Sequence, residues 1–556
     1  MTVIRVQMTS GKIEAEPFPA DRIVGGRGMI DYLMTKYSSP TTHPLSEHSY
    51  FIVAPGLLAG TNAPNSGRLS VGGKSPLTGT IKEANVGGTA GHKLGRLGIK
   101  AIMITGKASG LRILKIDDVG ATLENGSYLE GLSNYQSCEQ LRKRYGERIG
   151  IIITGPAGEM RLSNSTVAVT DLEGRPSRHA ARGGMGAVMA AKGLKAIVVE
   201  DSRGEWRKAV DKEGFKAAVK AATDDILSMP DCQNLSKVGT PGWIDNDHAH
   251  GSLPTFNYRA GAFDKYQNIN GNKIVELSKS RGGKMGHSCM LGCVVHCSHV
   301  FHGPDGKFVT SALEYETIAM LGSNLGIDDI DVIAQMDRRC DDLGLDTIEM
   351  GAAIGVLNDV GLFQFGDAAK AQGCIEEVAQ GTPLGRILGS GAAFTAQAFG
   401  IDRVPAVKGQ AIPGHTGRSV KGLGVTYATS PQGADHTAGP ATAYPLSAEG
   451  QAKRSRMAQI QMAALDSSGI CFYTFIFFKP GVIVSMVNAL YGLHWSKEDY
   501  LAMGKEMLRQ EIEFNRKAGI ALEGNGLPGW LREEPLPPTG AVFDVLQEDI
   551  EKVFDF

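Results

Sequence analysis

Short apolar runs rich in β-branched residues recur through the first 200 residues and then give way to helical periodicity. The runs are VIRVQM, FIVAPG, AIMITG, LRILKI, GIIITGPAG and KAIVVE, most of them bounded by Gly, Pro or Asp, which predicts strands. From about residue 207, KEGFKAAVKAATDDIL, IDVIAQMDRRCDDLG and TIEMGAAIGVLNDVG repeat their apolar residues with a helical period. The pattern predicts an α/β multidomain protein, with a β-rich domain over residues 1–203 and mainly helical domains over 204–404 and 405–556.

Charge and hydropathy exclude several classes of protein. The formal net charge is −2, so there is no electrostatic reason to expect nucleic acid as a partner. The most apolar segment, FYTFIFFKPGVIVSMVNALYG, is interrupted by Lys479, Pro480 and Gly481, which predicts buried core and no membrane span. The first residues carry early charges without an apolar secretory segment, and eight cysteines among 556 residues do not indicate a disulfide framework. We therefore expect a cytoplasmic protein.

Three of the cysteines lie close together in HSCMLGCVVHCSH. Cys289, Cys293 and Cys297 follow the spacing C-x3-C-x3-C. A straight helix would carry these thiols up one side, so a single metal centre requires a curled backbone, which Gly286 and Gly292 would permit. Three close cysteines and one distant cysteine are typical of a [4Fe–4S] cluster.

The fourth ligand must come from elsewhere in the chain. Among the other cysteines only Cys471 lies in a Gly- and Ser-bearing turn, DSSGIC, so we predict it as the fourth ligand. A structural zinc site that combines the three cysteines with His287, His296 or His299 is an alternative. A second alternative is that all these cysteines are buried free thiols.

A short turn occurs twice. DDLGLD (341–346) and DSSGIC (466–471) share the form D-x-x-G-[LI]-[DC]. Each closes an apolar helical stretch, where Gly344 and Gly469 would be natural C-caps, and one interpretation is that both are only caps. Asp carboxylates at two matching helix ends could also accept hydrogen bonds from two similar ring N–H systems. The repetition therefore indicates a ligand with two like halves.

Glycine is about twice as frequent as in an average protein, with 72 residues. NAPNSGRLSVGGKSPLTGTIKEANVGGTAG and RPSRHAARGGMGAVMAAKGLKAIVV combine dense glycine with Arg68, Lys74, Arg178 and Arg182. Exposed backbone N–H groups together with arginines favour phosphate binding, although β-hairpin turns explain part of the glycine. Neither standard nucleotide-binding loop, G-x-x-x-x-G-K-[ST] or a strand-embedded G-x-G-x-x-G, is found.

Taken together, these segments resemble the aldehyde:ferredoxin oxidoreductase family, whose members hold a tungsten, sometimes molybdenum, bis-pyranopterin. The segments that carry the resemblance are APGLLAGTNAPNSGRLSVGGKSPLTG, EANVGG, ARGGMGAVMAAKGLKAI, LEYETIAMLGSNLGIDD, DDLGLDTI, GLGVTYAT and DSSGIC. The resemblance covers nearly the whole chain and implies that the β-rich domain binds the pterin.

The resemblance also implies which residues hold the cofactors. Cys289, Cys293, Cys297 and Cys471 match the family's [4Fe–4S] ligands. The two repeated turns match the family's two pterin-binding turns, which implies pterin contacts from Asp341, Gly344, Leu345, Asp346, Asp466, Gly469 and Ile470.

Further residues match the family's phosphate and magnesium positions. Arg68 resembles the arginine between pterin and cluster. Asn85 resembles the residue whose backbone carbonyl reaches a Mg²⁺ ion that bridges the pterin phosphates. Arg178, His179 and Arg182 lie in the matching phosphate loop.

The implied reaction is the oxidation of a small-molecule aldehyde to a carboxylic acid. Glu316 in LEYET and His436 in SPQGADH match the family's acid and base positions in the substrate pocket. Electrons would leave through the cluster to ferredoxin or to an Fe–S partner subunit. The alternative within the family is a low-potential reductase subunit acting on an aromatic acyl-CoA thioester, and the alternative of another class is a non-catalytic protein with a structural zinc site.

The chain departs from the family pattern at two places. The family's cysteine triplet is C-x2-C-x3-C, whereas the first gap here is one residue longer. Gln335 stands where a classical family dimer places a ligand to an inter-subunit iron, which implies that this iron is missing. The chain could therefore form a homo-oligomer or a hetero-oligomer.

Overall fold

Two six-stranded β-sheets make up the first two hundred residues in the computed structural model, which describes residues 1–202, 204–442, 447–520 and 526–556. The predicted boundary at residue 203 lies outside the described residues. The first sheet and its helices are β1 Thr2–Gln7, β2 Lys12–Pro17, α1 Gly26–Tyr37, β3 Phe51–Pro55, β4 Leu69–Lys74, β5 Ile81–Val86, α2 Ala90–Arg96 and β6 Ile99–Thr105. Its strand order is β2-β1-β6-β3-β4-β5, in which only the β1–β6 pair is parallel.

The second sheet repeats this arrangement. Its elements are β7 Arg112–Ile116, β8 Ala121–Asn125, α3 Asn134–Tyr145, β9 Gly150–Thr154, α4 Pro156–Glu159, β10 Val167–Val169, β11 Arg178–Ala180, α5 Met185–Ala191 and β12 Leu194–Val199. Its strand order is β8-β7-β12-β9-β10-β11, and only the β7–β12 pair is parallel.

The β-rich domain is therefore an internal duplication. Both halves place one helix before the third strand and another before the sixth, and the strand orders match one for one. The sequence retains little of this relationship: GIKAIMI at 98–104, entering β6, corresponds to GLKAIVV at 193–199, entering β12. The sequence patterns predicted six of the twelve strands described here but not the duplication.

Both sheets share one hydrophobic core. Val53 and Val71 of the first sheet pack in the same cluster as Ile152 and Ile197 of the second, with α2 and α5 between the sheets. The outer face of the first sheet is covered by α1, and that of the second by α3. Because both faces of the central strands are buried, these strands are almost continuously apolar.

The remainder of the chain is mainly helical, as predicted. Its elements are α6 Lys212–Ser228, α7 Pro230–Val238, α8 Trp243–Ala249, α9 Gly271–Arg281, β13 Lys284–His287, β14 Ser298–His302, β15 Phe308–Ser311, α10 Tyr315–Leu321, α11 Ile330–Leu343, α12 Thr347–Val360, α13 Ala368–Gln380, α14 Pro383–Gly389, α15 Ala392–Phe399, β16 Ala406–Val407, β17 Gln410–Ala411, α16 Lys421–Thr429, α17 Gln451–Ser468, α18 Pro480–Tyr491, α19 Lys497–Lys517, α20 Trp530–Glu533 and α21 Gln547–Glu551. Within the described ranges no helix is long and apolar enough to cross a membrane. The division of this part at 404/405 stays a prediction.

Candidate active site

A cavity of about 310 Å³ opens where the two sheets meet the helical part of the chain. The edge strands β5 and β11 lie against each other there. Most of the predicted site residues line this cavity: Arg68, Asn85, Arg178, His179, Arg182, Cys289, Cys297, Glu316, Asp341, Leu345, Asp346, His436, Asp466 and Cys471. Gly344, Gly469, Ile470 and Cys293 belong to the same segments but do not line the wall itself.

The two repeated turns end two helices, as their glycines predicted. Gly344 follows α11 with φ +76°, and Gly469 follows α17 with φ +79°. Both adopt the left-handed conformation that favours glycine, and each N–H closes the last helical turn, on the carbonyls of Cys340 and Leu465. Both glycines are therefore helix C-caps, as predicted.

Each helix end docks on the equivalent corner of one sheet. The Gly469 carbonyl accepts from the backbone N–H of Arg68, just before β4, at 3.1 Å. The Gly344 carbonyl accepts from the N–H of Thr166, just before β10, at 2.9 Å. Gly469 also lies against Gly56 after β3, while Gly344 lies against Gly155 after β9. The cavity thus has two like halves, and the ligand with two like halves that the repeated turn indicated stays a prediction.

The side chains in these corners correspond as well. β4–β5 pairing sets Asn85 opposite the second residue of β4, and β10–β11 pairing sets His179 opposite the second residue of β10. The Arg68 guanidinium donates to the Asn85 side chain and, at 3.2 Å, to the Asn85 backbone carbonyl. The Thr166 hydroxyl is 2.6 Å from Nδ1 of His179.

The aspartates of the turns point toward basic groups. Asp341 Oδ1 lies 3.0 Å from His179 Nε2. Asp466 Oδ2 lies 3.5 Å from Arg27 Nη1, and Arg27 forms a bidentate ion pair with Glu511 at 2.7 and 2.8 Å. Burial raises the pKa of Asp466, an effect that the nearby arginines oppose.

Arg178 and Arg182 line the second half of the cavity. Arg182 donates to two backbone carbonyls and lies 3.3 Å from Asp346, which in turn caps the start of α12. Arg178 donates to Ser298 and Ser311, both at 2.9 Å, while its buried Nε has no hydrogen-bond partner among the described residues. With Arg27 and Arg68, four guanidinium groups line one cavity, which suits an anionic ligand.

The cysteine triplet lies in a curled loop between β13 and β14, as the spacing required. Gly286, Gly292 and His296 have φ values of +66°, +73° and +55°, so the backbone reverses repeatedly. Cys293 and Cys471 pack in one buried cluster, and Cys289 and Cys297 lie against it. The four cysteines therefore lie in one region, where burial and the nearby Cys289 and Cys471 raise the pKa of Cys293 and Cys297.

Asn65 ties the cysteine loop to the Cys471 turn. Its N–H donates to the Gly292 carbonyl at 2.9 Å, and its side-chain oxygen accepts from Val294 N–H at 2.9 Å. Its carbonyl accepts from Cys471 N–H at 2.9 Å, and its Nδ2 lies 3.3 Å from Cys293 Sγ. The sequence analysis did not select Asn65; its signal was an asparagine, tolerant of φ +53°, within the turn NAPNSG.

Burial and the neighbouring thiols raise the pKa of three of the four cysteines. Burial and Cys289 raise the pKa of Cys293 to about 12, and burial also raises the pKa of Cys297 and Cys471. Metal binding must therefore displace protons from these thiols.

The histidines proposed for a zinc site contact other groups. His287 Nε2 lies 2.9 Å from the Glu173 carboxylate, His296 Nδ1 lies 2.7 Å from Ser288 Oγ, and His299 Nε2 accepts from Leu313 N–H at 3.2 Å. In the described ranges no group of three or more His, Cys, Asp or Glu side chains has a geometry that could hold a single metal ion, and this applies to the four cysteines as well as to the histidines.

The predicted acid–base pair lies together on the cavity wall. His436 Nδ1 is 3.5 Å from Glu316 Oε1, and Glu316 Oε2 accepts from Gly414 N–H at 2.6 Å. Burial lowers the pKa of His436, against the opposing effect of Glu316, which favours a neutral imidazole at neutral pH. A carboxylate beside a neutral histidine can accept a proton at one group and donate a hydrogen bond from the other.

The structure adds two residues that the sequence analysis missed. His415 Nε2 lies 3.8 Å from Glu316 Oε1, and His415 Nδ1 lies 2.8 Å from Asp247 Oδ2. Asp247 precedes Glu316 by nearly seventy residues, so no local spacing connected them.

Comparison with known proteins identifies the family. Two family models place the chain in a class of oxidoreductases. The family model described as "Aldehyde ferredoxin oxidoreductase, N-terminal domain" matches residues 3–201, and the one described as "Aldehyde ferredoxin oxidoreductase, domains 2 & 3" matches residues 217–555. The chain belongs to the aldehyde ferredoxin oxidoreductase family.

Individual relatives agree with this family. The chain is 31% identical to the tungsten-containing aldehyde ferredoxin oxidoreductase of Pyrococcus furiosus, over 96% of this chain and 91% of the relative. It is 26% identical to an aliphatic sulfonate oxidoreductase, WOR-like subunit, of the same organism, over 90% and 83%. Its fold is similar to the active-site complex BamBC of benzoyl coenzyme A reductase with 1,5-dienoyl-CoA, with a TM-score of 0.82 and 18% identity over 100% of this chain and 92% of that one.

Proposed function

We propose that the protein oxidises aldehydes to carboxylic acids with a tungsten (or molybdenum) bis-pyranopterin and a [4Fe–4S] cluster. The observation that carries the proposal is the arrangement of one cavity: two like corners, four thiols and the Glu316–His436 pair all face it or lie directly behind it. This arrangement combines a cofactor site with two groups able to handle protons.

The residues present fit such a cofactor. Asp341 and Asp466, at equivalent helix ends, would each accept hydrogen bonds from one pterin ring, beside Leu345, Asp346 and the capping turns. Arg178, His179 and Arg182 would bind its phosphates, and the carbonyl of Asn85 would approach the Mg²⁺ ion between them. When bound, the metal–pterin supplies the acceptor for the two electrons that leave the aldehyde.

The Glu316 carboxylate would accept a proton from the water whose oxygen attacks the aldehyde carbon. Its Oε2 is held by Gly414 N–H, which leaves Oε1 directed toward His436. A neutral His436 would donate a hydrogen bond to the carbonyl oxygen as negative charge develops there. Over the reaction, aldehyde and water give carboxylic acid, two electrons and two protons.

The thiols of Cys289, Cys293, Cys297 and Cys471 would hold the cluster, with the Arg68 guanidinium near Cys471 and Cys289. Electrons would then pass to ferredoxin or to an Fe–S partner subunit, in a cytoplasmic setting. Gln335 lies on exposed α11 surface, where its side chain accepts from Gln372 at 3.0 Å. The protein would therefore lack the inter-subunit iron, whether it forms a homo-oligomer or a hetero-oligomer.

The test is dye reduction by protein purified under anaerobic conditions. We expect aldehyde-dependent viologen reduction and no dearomatisation of an aromatic acyl-CoA thioester by reduced dye. The opposite pattern, activity on the thioester only, would replace this function with that of a low-potential reductase subunit, the second candidate. The fold similarity to benzoyl coenzyme A reductase favours that candidate, whereas the Glu316–His436 pair favours aldehyde oxidation.

Asn65→Ala should weaken the cluster site. The substitution removes the hydrogen bond to Cys293 Sγ and the contact with Val294 N–H, so we expect less iron per chain and a lower reduction potential for the remaining cluster. Iron assay and a potentiometric titration followed by electron paramagnetic resonance would measure both. Asn62→Ala, at an exposed position of the same loop, is the matched control. Equal iron and equal potential in both variants would contradict the expectation.

A further inference from the structure

His415 lies between two carboxylates behind the cavity wall. Its side chain is 4% exposed, with Nδ1 2.8 Å from Asp247 Oδ2 on α8 and Nε2 3.8 Å from Glu316 Oε1 on α10. The ring also stacks on Tyr315, with centroids 4.5 Å apart and planes 16° apart. An imidazole in this position can respond to both carboxylates but cannot exchange freely with solvent.

The segment that carries His415 is rigidly held. Three buried tyrosine hydroxyls donate to its consecutive carbonyls: Tyr258 to Ile412 at 2.5 Å and Pro413 at 2.7 Å, Tyr315 to Gly414, and Tyr427 to His415 at 3.1 Å. Gly414 N–H in turn donates to Glu316. A β-carbon on Gly414 would lie 2.9 Å from Glu316 Oε2, so only glycine permits this approach. The imidazole and the carboxylate are therefore fixed relative to each other.

The two histidines beside Glu316 differ in their electrostatics. Burial opposes the charge of His415, but the carboxylates of Asp247 and Glu316 raise its pKa above the ordinary value. Burial instead lowers the pKa of His436. The two environments therefore shift the pKa values of His415 and His436 in opposite directions. Such a separation is typical of groups with different roles in proton transfer.

The groups that face this pair come from several elements. Around Glu316 and His415 these are Asp247, Arg182, His436, Tyr258, Tyr315, Tyr427 and Tyr473. Besides His415, the groups here that can carry positive charge are Arg182 and His436, and burial lowers the pKa of His436. Arg182 is additionally paired with Asp346 and lies near Glu349, whereas His415 bridges Asp247 and Glu316.

We propose that His415, held by Asp247, is a positioning residue whose charged imidazole orients the Glu316 carboxylate toward the cavity. The proposal rests on the proposed function, because it assigns His415 to the base of that reaction. Its positive charge attracts Glu316 Oε1 while Gly414 N–H holds Oε2, so the carboxylate is fixed from two sides. The orientation of the base therefore depends on a residue that does not touch the substrate.

His415→Gln tests this directly. Because the cation beside Glu316 is lost, we expect kcat/KM to fall at low pH, where His415 is protonated in the wild type, and to match the wild type at high pH, where His415 is neutral. The metal and iron contents should match those of the wild type. His48→Gln, whose side chain is 81% exposed, is the matched control and should leave the profile unmoved. A uniform loss of activity with an unmoved acidic limb would overturn the proposal.

A second measurement needs no substrate. A histidine whose folded pKa is raised stabilises the fold below its unfolded pKa of about 6.5, and this stabilisation is lost as pH rises through the folded value. Asp247→Asn and Glu316→Gln should therefore each lower the unfolding midpoint more at about pH 6 than at about pH 9. Losses independent of pH in both variants would overturn the proposal.

The two measurements separate this proposal from the proposed function. If the wild type does not oxidise aldehydes but both variants show the pH-dependent loss of stability, the reaction is wrong and the coupling of His415 to both carboxylates stands. If the wild type oxidises aldehydes while neither the profile nor the stability responds, the reaction stands and the role of His415 is wrong.

Discussion

Glu316→Gln should lower kcat for aldehyde oxidation by about 10²- to 10⁴-fold, because it removes the group that accepts the proton from water. Glutamine has the same shape, and its side-chain oxygen can still accept from Gly414 N–H, so the wall of the cavity should remain in place. Steady-state kinetics with a dye acceptor measures the loss. Tungsten or molybdenum, iron and pterin contents should be those of the wild type.

A surface variant provides the comparison for Glu316. Glu513→Gln makes the same replacement of glutamate by glutamine on α19. The Glu513 carboxylate is 45% exposed and pairs with Arg516 and Lys517. We expect its kcat to be unchanged. If Glu316→Gln retained kcat within about threefold of the wild type, Glu316 would not be the base of the reaction.

Cys471→Ser should abolish electron transfer to the external acceptor. The thiol lies 5% exposed in the cluster of Met290, Cys293 and Ile470, where a serine hydroxyl is a poor iron ligand. We expect iron to fall from about four atoms per chain toward zero or to a cluster of altered spectrum. Iron assay and electron paramagnetic resonance of the reduced protein measure the change.

The matched control for this variant is another buried cysteine. Cys374 on α13 is 6% exposed and belongs to a different hydrophobic cluster. Cys374→Ser removes a buried thiol in the same way, so it separates a loss of stability from a loss of ligation. Full iron and normal spectra in Cys471→Ser would exclude Cys471 as a ligand, and the cluster would need a different fourth group.

The sequence predicted those strands that contain an apolar run and those helices whose apolar residues repeat with a regular period. β3, β9 and β12 are buried along their whole length and almost continuously apolar, whereas β1, β6 and β7 keep apolar runs around a few charged residues such as Arg5 and Lys115. Helices α6, α11, α12, α17 and α19 showed their apolar period, and glycine marked several of their ends. Strands such as β4 (LSVGGK) and β11 (RHA) were missed because they are short or glycine-bearing and carry residues used by the cavity.

The site was predictable only where its residues are near each other in sequence or form recognisable motifs. The cysteine triplet and the repeated D-x-x-G turn satisfy that condition, and the structure brings these segments together. Asn65, Asp247 and His415 do not, because each acts through a contact with a segment far along the chain. The duplication was hidden for a related reason, since strand order is conserved between the halves while few side chains are.

The most direct test of the central claim is elemental and pterin analysis of the protein purified anaerobically from its native source. The account predicts about four iron atoms, about one tungsten or molybdenum atom and about two pterins per chain. About one zinc atom per chain, with no iron and no pterin, would contradict it and leave the thiols of Cys289, Cys293 and Cys297 with a structural role.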